Sequence, residues 1–303
     1  MVKFTSLLTA SAFGLGALAH PHIKHIDRRF CSLEERSVFA RNEDLVSRAE
    51  IPKATSWNPP SSMVTGLDQV WKQTMKENPQ GLQDKNWIID QFMANNGSIN
   101  YCVRWNNDKK STADARASTV KALQRSMQQW FDILVDYDGF PLTELNVHVV
   151  GYAVRDESQL EGDTSNIDVY TTADADGVPQ CDPGCYRANH LDGDMSQCPG
   201  GKASRYDISL WLDDSLEGQM GGYGYNWGQE IGPDYFLDNI DQENIHILLH
   251  EMGHGFGLLD FYDWVPEGQE SFVMMAGSAM EITEFDAWML RDWWRKLKAE
   301  RNW

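Results

Sequence analysis

The sequence predicts an α+β domain, and three observations carry that prediction. A long stretch, Ser111 to Asp136, repeats apolar residues at helical spacing; separate stretches alternate in strand fashion; and two more helical patterns lie in the last third of the chain. The chain has 303 residues and is 42% hydrophobic, enough for one sizeable core. Once leader segments are set aside, one domain of about 200–250 residues is expected.

The elements follow in order. Trp57-Asn-Pro-Pro-Ser-Ser62 reads as a linker or extended start, and Leu67–Met75 as a short helix. Ser98–Trp105 alternates and reads as a strand. Ser111 or Thr112 caps the long helix, whose core face is Val120, Leu123, Met127, Trp130 and Leu134; Asp138-Gly139 and Pro141 form its exit turn. Leu145–Val154 and Asn166–Tyr170 are further strands, and His148 within the first is read as an ordinary strand histidine. Tyr206–Leu212 alternates again. Between Gly218 and Gly232, Tyr223, Tyr225 and Trp227 sit among many glycines; the stretch reads either as a mobile loop or, together with Trp211, as an aromatic wall for substrate or sugar. A final helix opens at Thr283 with Asp286 three residues on, a variant of the capping box, and presents Phe285, Trp288, Met289, Trp293 and Leu297 on one face.

The chemistry concentrates in His250-Glu251-Met252-Gly253-His254-Gly255-Phe256-Gly257-Leu258-Leu259-Asp260. Two imidazoles four residues apart stand one turn apart on one helix face and can reach a single zinc ion. Glu251 lies beside the first and is placed to take a proton from water that the metal activates. Gly257 permits a sharp turn after the helix, and Asp260 returns an oxygen ligand. Three protein ligands with a fourth position open describe a catalytic zinc, not a structural one. Ile245, Leu248, Leu249 and Met252 predict that the helix is buried; His246 is read as a core or supporting histidine, and Asp263 as a rival to Asp260 in a less favourable register.

The pattern HExxHxxGxxD resembles the metzincin clan of zinc endopeptidases, and within it the branch with aspartate as third ligand, as in the bacterial snapalysins. The resemblance is sharp over residues 206–290 and architectural over 98–205. It implies a twisted, mostly parallel sheet with an antiparallel edge strand, a long helix, an active-site helix, a methionine turn and a C-terminal helix. It places the turn at Phe272–Gly277, with Met274 as its methionine and Met275 as the alternative. It makes Tyr206–Leu212 the sheet edge that pairs with an extended substrate. Many relatives carry a tyrosine two residues after the turn methionine. Here that residue is Ala276, so the helper for the developing oxyanion is not identified, and Tyr262 is a weak substitute. The closing segment Thr283–Trp294 is similar to secreted fungal proteins that share the zinc motif, some of them labelled cellulose-binding.

The start of the chain points outside the cell. Met1-Val-Lys3, the apolar run Leu7–Leu18 and Ala17-Leu18-Ala19 make residues 1–19 a signal peptide cut after Ala19. Residues 20–50, with Arg28-Arg29 and then Arg36, Arg41 and Arg48, read as a propeptide, leaving 51–303 as the catalytic domain. Of five cysteines, Cys102, Cys181, Cys185 and Cys198 are expected to pair, in any of three ways; Cys31 is left over and is a candidate zymogen thiol able to cap the zinc. Asn96-Gly97-Ser98 is a glycosylation acceptor. Asp174, Asp176, Asp182, Asp192 and Asp194 raise a weak case for calcium against a solvated acidic loop. A net charge of -19 argues against nucleic acid or an anionic membrane as partner. The expected activity is therefore a monomeric, secreted zinc endopeptidase acting on protein or peptide. The alternatives are a hydrolase of glycosylated or cell-wall-linked peptides and a carbohydrate-binding protein whose metal site is vestigial.

Overall fold

The computed structural model describes the backbone of Cys31–Ser32 and residues 51–216 and 221–303. The predicted signal peptide and almost all of the predicted propeptide lie outside those residues. The fold is α+β: a mostly parallel sheet of seven strands with helices packed against it.

In chain order the elements are β1 (Cys31–Ser32), α1 (Ser61–Glu77), α2 (Ile88–Ala94), β2 (Ser98–Asn106), α3 (Ala113–Phe131), β3 (Asn146–Val154), β4 (Asp168–Tyr170), β5 (Ile208–Asp213), β6 (Gly221–Tyr225), β7 (Gly228–Ile231), α4 (Pro233–Asp238), α5 (His246–Gly255) and α6 (Glu284–Arg301). The sheet order is β1-β6-β7-β5-β2-β3-β4. β7, β5, β2, β3 and β4 run parallel, while β6 is antiparallel to β7 and β1 antiparallel to β6.

Local chemistry explains the boundaries. Thr112 caps α3 by accepting from the Ala115 amide, which answers one of the helix's unpaired donors. Thr283 and Asp286 close a reciprocal capping box on α6. The interior strands β2 and β5 are buried along most of their length, as parallel strands covered on both faces must be. α1 is longer than the expected Leu67–Met75, running from Ser61 to Glu77.

Two expectations need correction. Tyr206–Leu212 is not a sheet edge: β5 lies inside the sheet, paired to β2 on one side and β7 on the other. From Gly221 the glycine-rich stretch is not a simple loop but the hairpin β6–β7, antiparallel and next to the end strand β1. The glycines are there because the backbone is approached closely. A Cβ on Gly228 would lie 1.9 Å from the Ser209 carbonyl oxygen, and its φ is +132°. No side chain fits such a position.

The disulfides are Cys102–Cys181 and Cys185–Cys198. Cys102–Cys181 ties the long excursion between β4 and β5 back to β2, and Cys185–Cys198 closes a loop within the excursion, around a small cluster that includes Tyr186 and Tyr206. Asn96 is exposed in the turn between α2 and β2, where a sugar could be carried. No helix among the described residues is long and apolar enough to cross a membrane.

Candidate metal centre

Helix α5 is buried along its whole length, so its polar side chains need specific partners. His250 Nδ1 lies 2.8 Å from the Val273 carbonyl oxygen, and His254 Nδ1 lies 2.8 Å from that of Leu258. A carbonyl only accepts, so each Nδ1 carries the proton and donates. Each Nε2 is thereby left as a lone pair.

The two lone pairs face each other across 3.2 Å. Asp260 Oδ1 completes a triangle, 3.0 Å from His250 Nε2 and 3.3 Å from His254 Nε2. Among the described residues, His250, His254 and Asp260 are the group whose ligand atoms converge in this way. Three donors with no proton fixed between them repel unless a cation sits in their midst. Bond lengths of about 2.0–2.1 Å in a tetrahedron would place ligand atoms about 3.3 Å apart. The donor set and spacing therefore fit zinc. Outer hydrogen bonds that fix the tautomer of metal-binding histidines are a usual accompaniment.

The electrostatics agree. Burial works against the Asp260 carboxylate, yet the two imidazoles hold its pKa far below the usual range. Burial would lower the His254 pKa, but Asp260 overcomes it and the net shift is upward. Both shifts say that the cluster favours positive charge at its centre.

Glu251 is buried beside this triangle, and its Oε1 has no hydrogen-bond partner. Burial pushes its pKa up to about 7, against the pull of His250 and His254 and with a small addition from Asp260. A carboxyl poised near neutrality can take a proton and return it; a divalent cation nearby would draw the value down again.

The elements that hold these groups are specific. Gly257 turns the chain after α5 with φ +97°, and a Cβ there would lie 2.5 Å from ring atoms of Trp293. Met274 is fully buried and lies so close to α5 that a Cβ on Gly253, between the two histidines, would be 2.2 Å from its sulfur. Met275 is only half-buried. Asp286 reaches from α6 to accept the amides of Val273 and Met274 and so fixes the turn whose carbonyl anchors His250.

The remaining expected residues are dispersed. His246 is fully buried one turn before His250, with ring centroids 6.5 Å apart. Burial and His250 push its pKa down to about 4, against a contrary pull from the Ala279 backbone, so it stays neutral. Asp263 is exposed and outside the triangle, and Tyr262 is exposed beside it. Tyr225 packs edge-on against Trp87 at 5.1 Å, and Trp211 and Trp227 pack against each other at 6.4 Å, with Arg104 over Trp211. Tyr223 lies in β6 between Gly222 and Gly224. Four of the five aspartates singled out in 173–205 are used in turns: Asp174 accepts from Asp176 and Val178, Asp182 from Gly184, Asp192 from Asp194, and Asp194 from Ser196.

Sequence reasoning missed two features here. One is β6, whose Gly222 and Gly224 lie against Glu251; glycine-rich strands carry little strand signal. The other is the tie from Asp286 to the methionine turn, which the capping-box pattern conceals because it explains the carboxylate locally. Compared with family models, curated proteins and solved structures, the chain finds no match.

Proposed function

We propose that this chain is a secreted zinc-dependent endopeptidase of metzincin type. The observation that carries the reading is the convergence of His250 Nε2, His254 Nε2 and Asp260 Oδ1 within 3.3 Å of one another, with Glu251 alongside, its Oε1 without a hydrogen-bond partner and its Oε2 3.9 Å from His254 Nε2. Met274 beneath the histidines and the antiparallel strand β6 against Glu251 support the same reading. The leader sequence and the two disulfides support an extracellular location.

His250, His254 and Asp260 would hold the metal. A zinc ion bound there would supply Lewis acidity toward the scissile carbonyl and acidify the attacking water. Glu251 takes that water's proton and delivers it to the leaving amine. Its burial keeps bulk water from competing for the carboxyl. An extended substrate would be held by main-chain pairing along β6, on the side where β1 pairs in this structure. Relative to a three-histidine site, the Asp260 carboxylate lowers the net charge and weakens the Lewis acid.

The test is Glu251→Gln. The variant should bind zinc stoichiometrically and lose about two to four orders of magnitude in turnover on a peptide library. Full activity in the variant, or mature protein that takes up no metal, refutes the proposal. Cellulose and chitin pull-downs on the same samples detect a carbohydrate-binding protein, which would bind polysaccharide with no chelator-sensitive cleavage.

A further inference from the structure

Away from the metal triangle, the core holds a cation that no carboxylate touches. Arg291 of α6 is 2% exposed, and its Nη2 donates to the Pro52 carbonyl oxygen at 2.8 Å. Its Nε and Nη1 are buried without a hydrogen-bond partner. Those two nitrogens carry three of the five guanidinium N–H groups. The Tyr137 hydroxyl, in the turn after α3, is likewise buried without a partner. The two residues are neighbours: Arg291 Cζ lies 5.5 Å from the Tyr137 ring centre and 4.7 Å from that of Trp288. The ring faces attract the charge, but they offer the N–H groups no lone pair.

The carboxylates that act on this pair from a distance are Asp138, Asp292 and Glu284. Each is committed elsewhere. Asp138 pairs with Lys298, Asp292 pairs with Arg295, and Glu284 accepts the Trp288 indole N–H. Burial, aided by Asp138, pushes the Tyr137 pKa up to about 12, so the hydroxyl keeps its proton and can donate. The result is a set of buried donors around one positive charge, with no acceptor and no counter-charge in contact. A neutral acceptor would satisfy the N–H groups and leave the charge uncompensated; an anion answers both.

We propose that Arg291 and Tyr137 form a buried site for a small monovalent anion of halide size, held by the Nε–H and Nη1–H groups of the guanidinium and by the Tyr137 O–H. A single net charge and apolar ring walls suit one halide better than a multiply charged oxyanion. Such an ion would join α6 to the turn after α3, and so stabilise the fold. The site does not depend on the endopeptidase reading.

The test uses the full chain in halide-free sodium gluconate, with melting followed as chloride replaces gluconate at constant ionic strength. Wild type should show a saturable rise, reaching about 5–10 °C when chloride exceeds its dissociation constant about a hundredfold. Bromide should act in the same way, and its anomalous scattering in crystals should place an ion in contact with Arg291 Nη1 and Tyr137 Oη. Tyr137→Phe keeps the ring and the cation but removes one donor, so the chloride midpoint should rise about tenfold. Arg291→Met keeps an unbranched stem and removes the charge, so its melting should be the same in chloride and gluconate. Should Arg291→Met fail to fold, Tyr137→Phe and the bromide position still decide. A wild-type response that is absent, or that is unsaturable and shared by Tyr137→Phe, overturns the proposal. So does a crystal soaked in bromide that shows only water between Arg291 and Tyr137.

Discussion

Asp286→Asn separates support of the proposed metal site from the candidate ligands themselves. The carboxylate is fully buried and accepts four hydrogen bonds. Oδ2 takes the Val273 amide, the Thr283 amide and the Thr283 hydroxyl, each at 2.8 Å; Oδ1 takes the Met274 amide at 3.1 Å. Asparagine keeps the shape. Its carbonyl will take the three-donor side, which turns its NH2 toward the Met274 N–H. One buried amide then lacks an acceptor, a cost of about 1–3 kcal/mol, and three charge-assisted bonds become neutral ones, each weaker by about 1 kcal/mol. Burial raises the pKa of this carboxyl, so removing the charge returns part of the loss. The net destabilisation should be about 2–4 kcal/mol, or about 5–15 °C in melting temperature for a domain of this size. The consequence for function follows from the next link. Val273 donates its amide to Asp286 and lends its carbonyl to His250. Zinc affinity should therefore fall about tenfold, the lower end for loss of an outer partner. Competition against a chromophoric chelator measures the affinity, and melting with and without zinc measures the stability. Thr283→Val, which removes the cap but leaves both turn amides bonded to Asp286, should lower melting by about 1 kcal/mol and leave zinc affinity alone. If Asp286→Asn melts as expected yet binds zinc within twofold of wild type, the turn does not transmit and the reasoning is wrong.

Other outcomes follow from the same contacts. Gly224→Ala places a Cβ 2.2 Å from the Glu251 carbonyl oxygen and 2.8 Å from its Cα; it should cost about 1–3 kcal/mol or more in chemical denaturation and most of the activity, while Gly139→Ala, strained at φ +73° but with nothing within 4 Å, should cost about 1–2 kcal/mol and no activity. Removing Cys102–Cys181, whose cysteines are 79 residues apart, should destabilise by about 4.5 kcal/mol in the loop-entropy account, against about 3 kcal/mol for Cys185–Cys198, 13 apart; denaturant melts of the paired serine variants that reverse this order refute it. Asp174 is held below the usual carboxylate pKa because Arg104 and the amides of Val178 and Asp176 outweigh its burial. Its depressed folded value means that the stabilisation is present above the unfolded carboxylate pKa of about 3.9 and is lost as pH falls through the folded one. Melting of wild type and Asp174→Asn should differ at neutral pH and converge in acid; a difference that does not narrow as pH falls refutes it.

What was legible in the chain depended on period and on caps. α3 and α6 announce themselves by apolar residues at helical spacing, and Thr112 and Thr283 mark where they start. The histidine pair and Asp260 were legible because a helix fixes i,i+4 geometry and Gly257 marks the turn. α2 was not seen, since seven residues give too few repeats to display a period. The disulfide pairing could not be read, because spacing does not choose among three connectivities. β6 was misread for a sharper reason. Its glycines look like flexibility in a sequence. In the fold, Gly222 and Gly224 are where β6 touches Glu251, and Gly228 is where the hairpin touches Ser209. A glycine reports that something comes close as readily as it reports that nothing does, and the sequence alone does not say which.

The same contacts change which part of the chain belongs to the site. The candidate metal-binding motif occupies eleven positions from His250 to Asp260, yet none of the three donors is held by the motif alone. His250 is aimed by Val273, and Val273 is aimed by Asp286 of α6. Asp260 is brought back by the turn at Gly257, whose backbone lies against Trp293, also of α6. His254 is anchored to Leu258 inside the motif, but its helix is spaced by Met274, whose amide Asp286 also holds. Two side chains of one helix, seven residues apart and thus on one face, therefore set the positions of the ligands from beneath. A buried donor cluster that prefers a cation needs such rigidity, because ligand atoms near 3.3 Å from each other would otherwise move apart to relieve repulsion. On this argument α6 is part of the metal centre, and a protein that keeps the eleven-residue motif but loses α6 should retain the ligand residues without retaining tight binding.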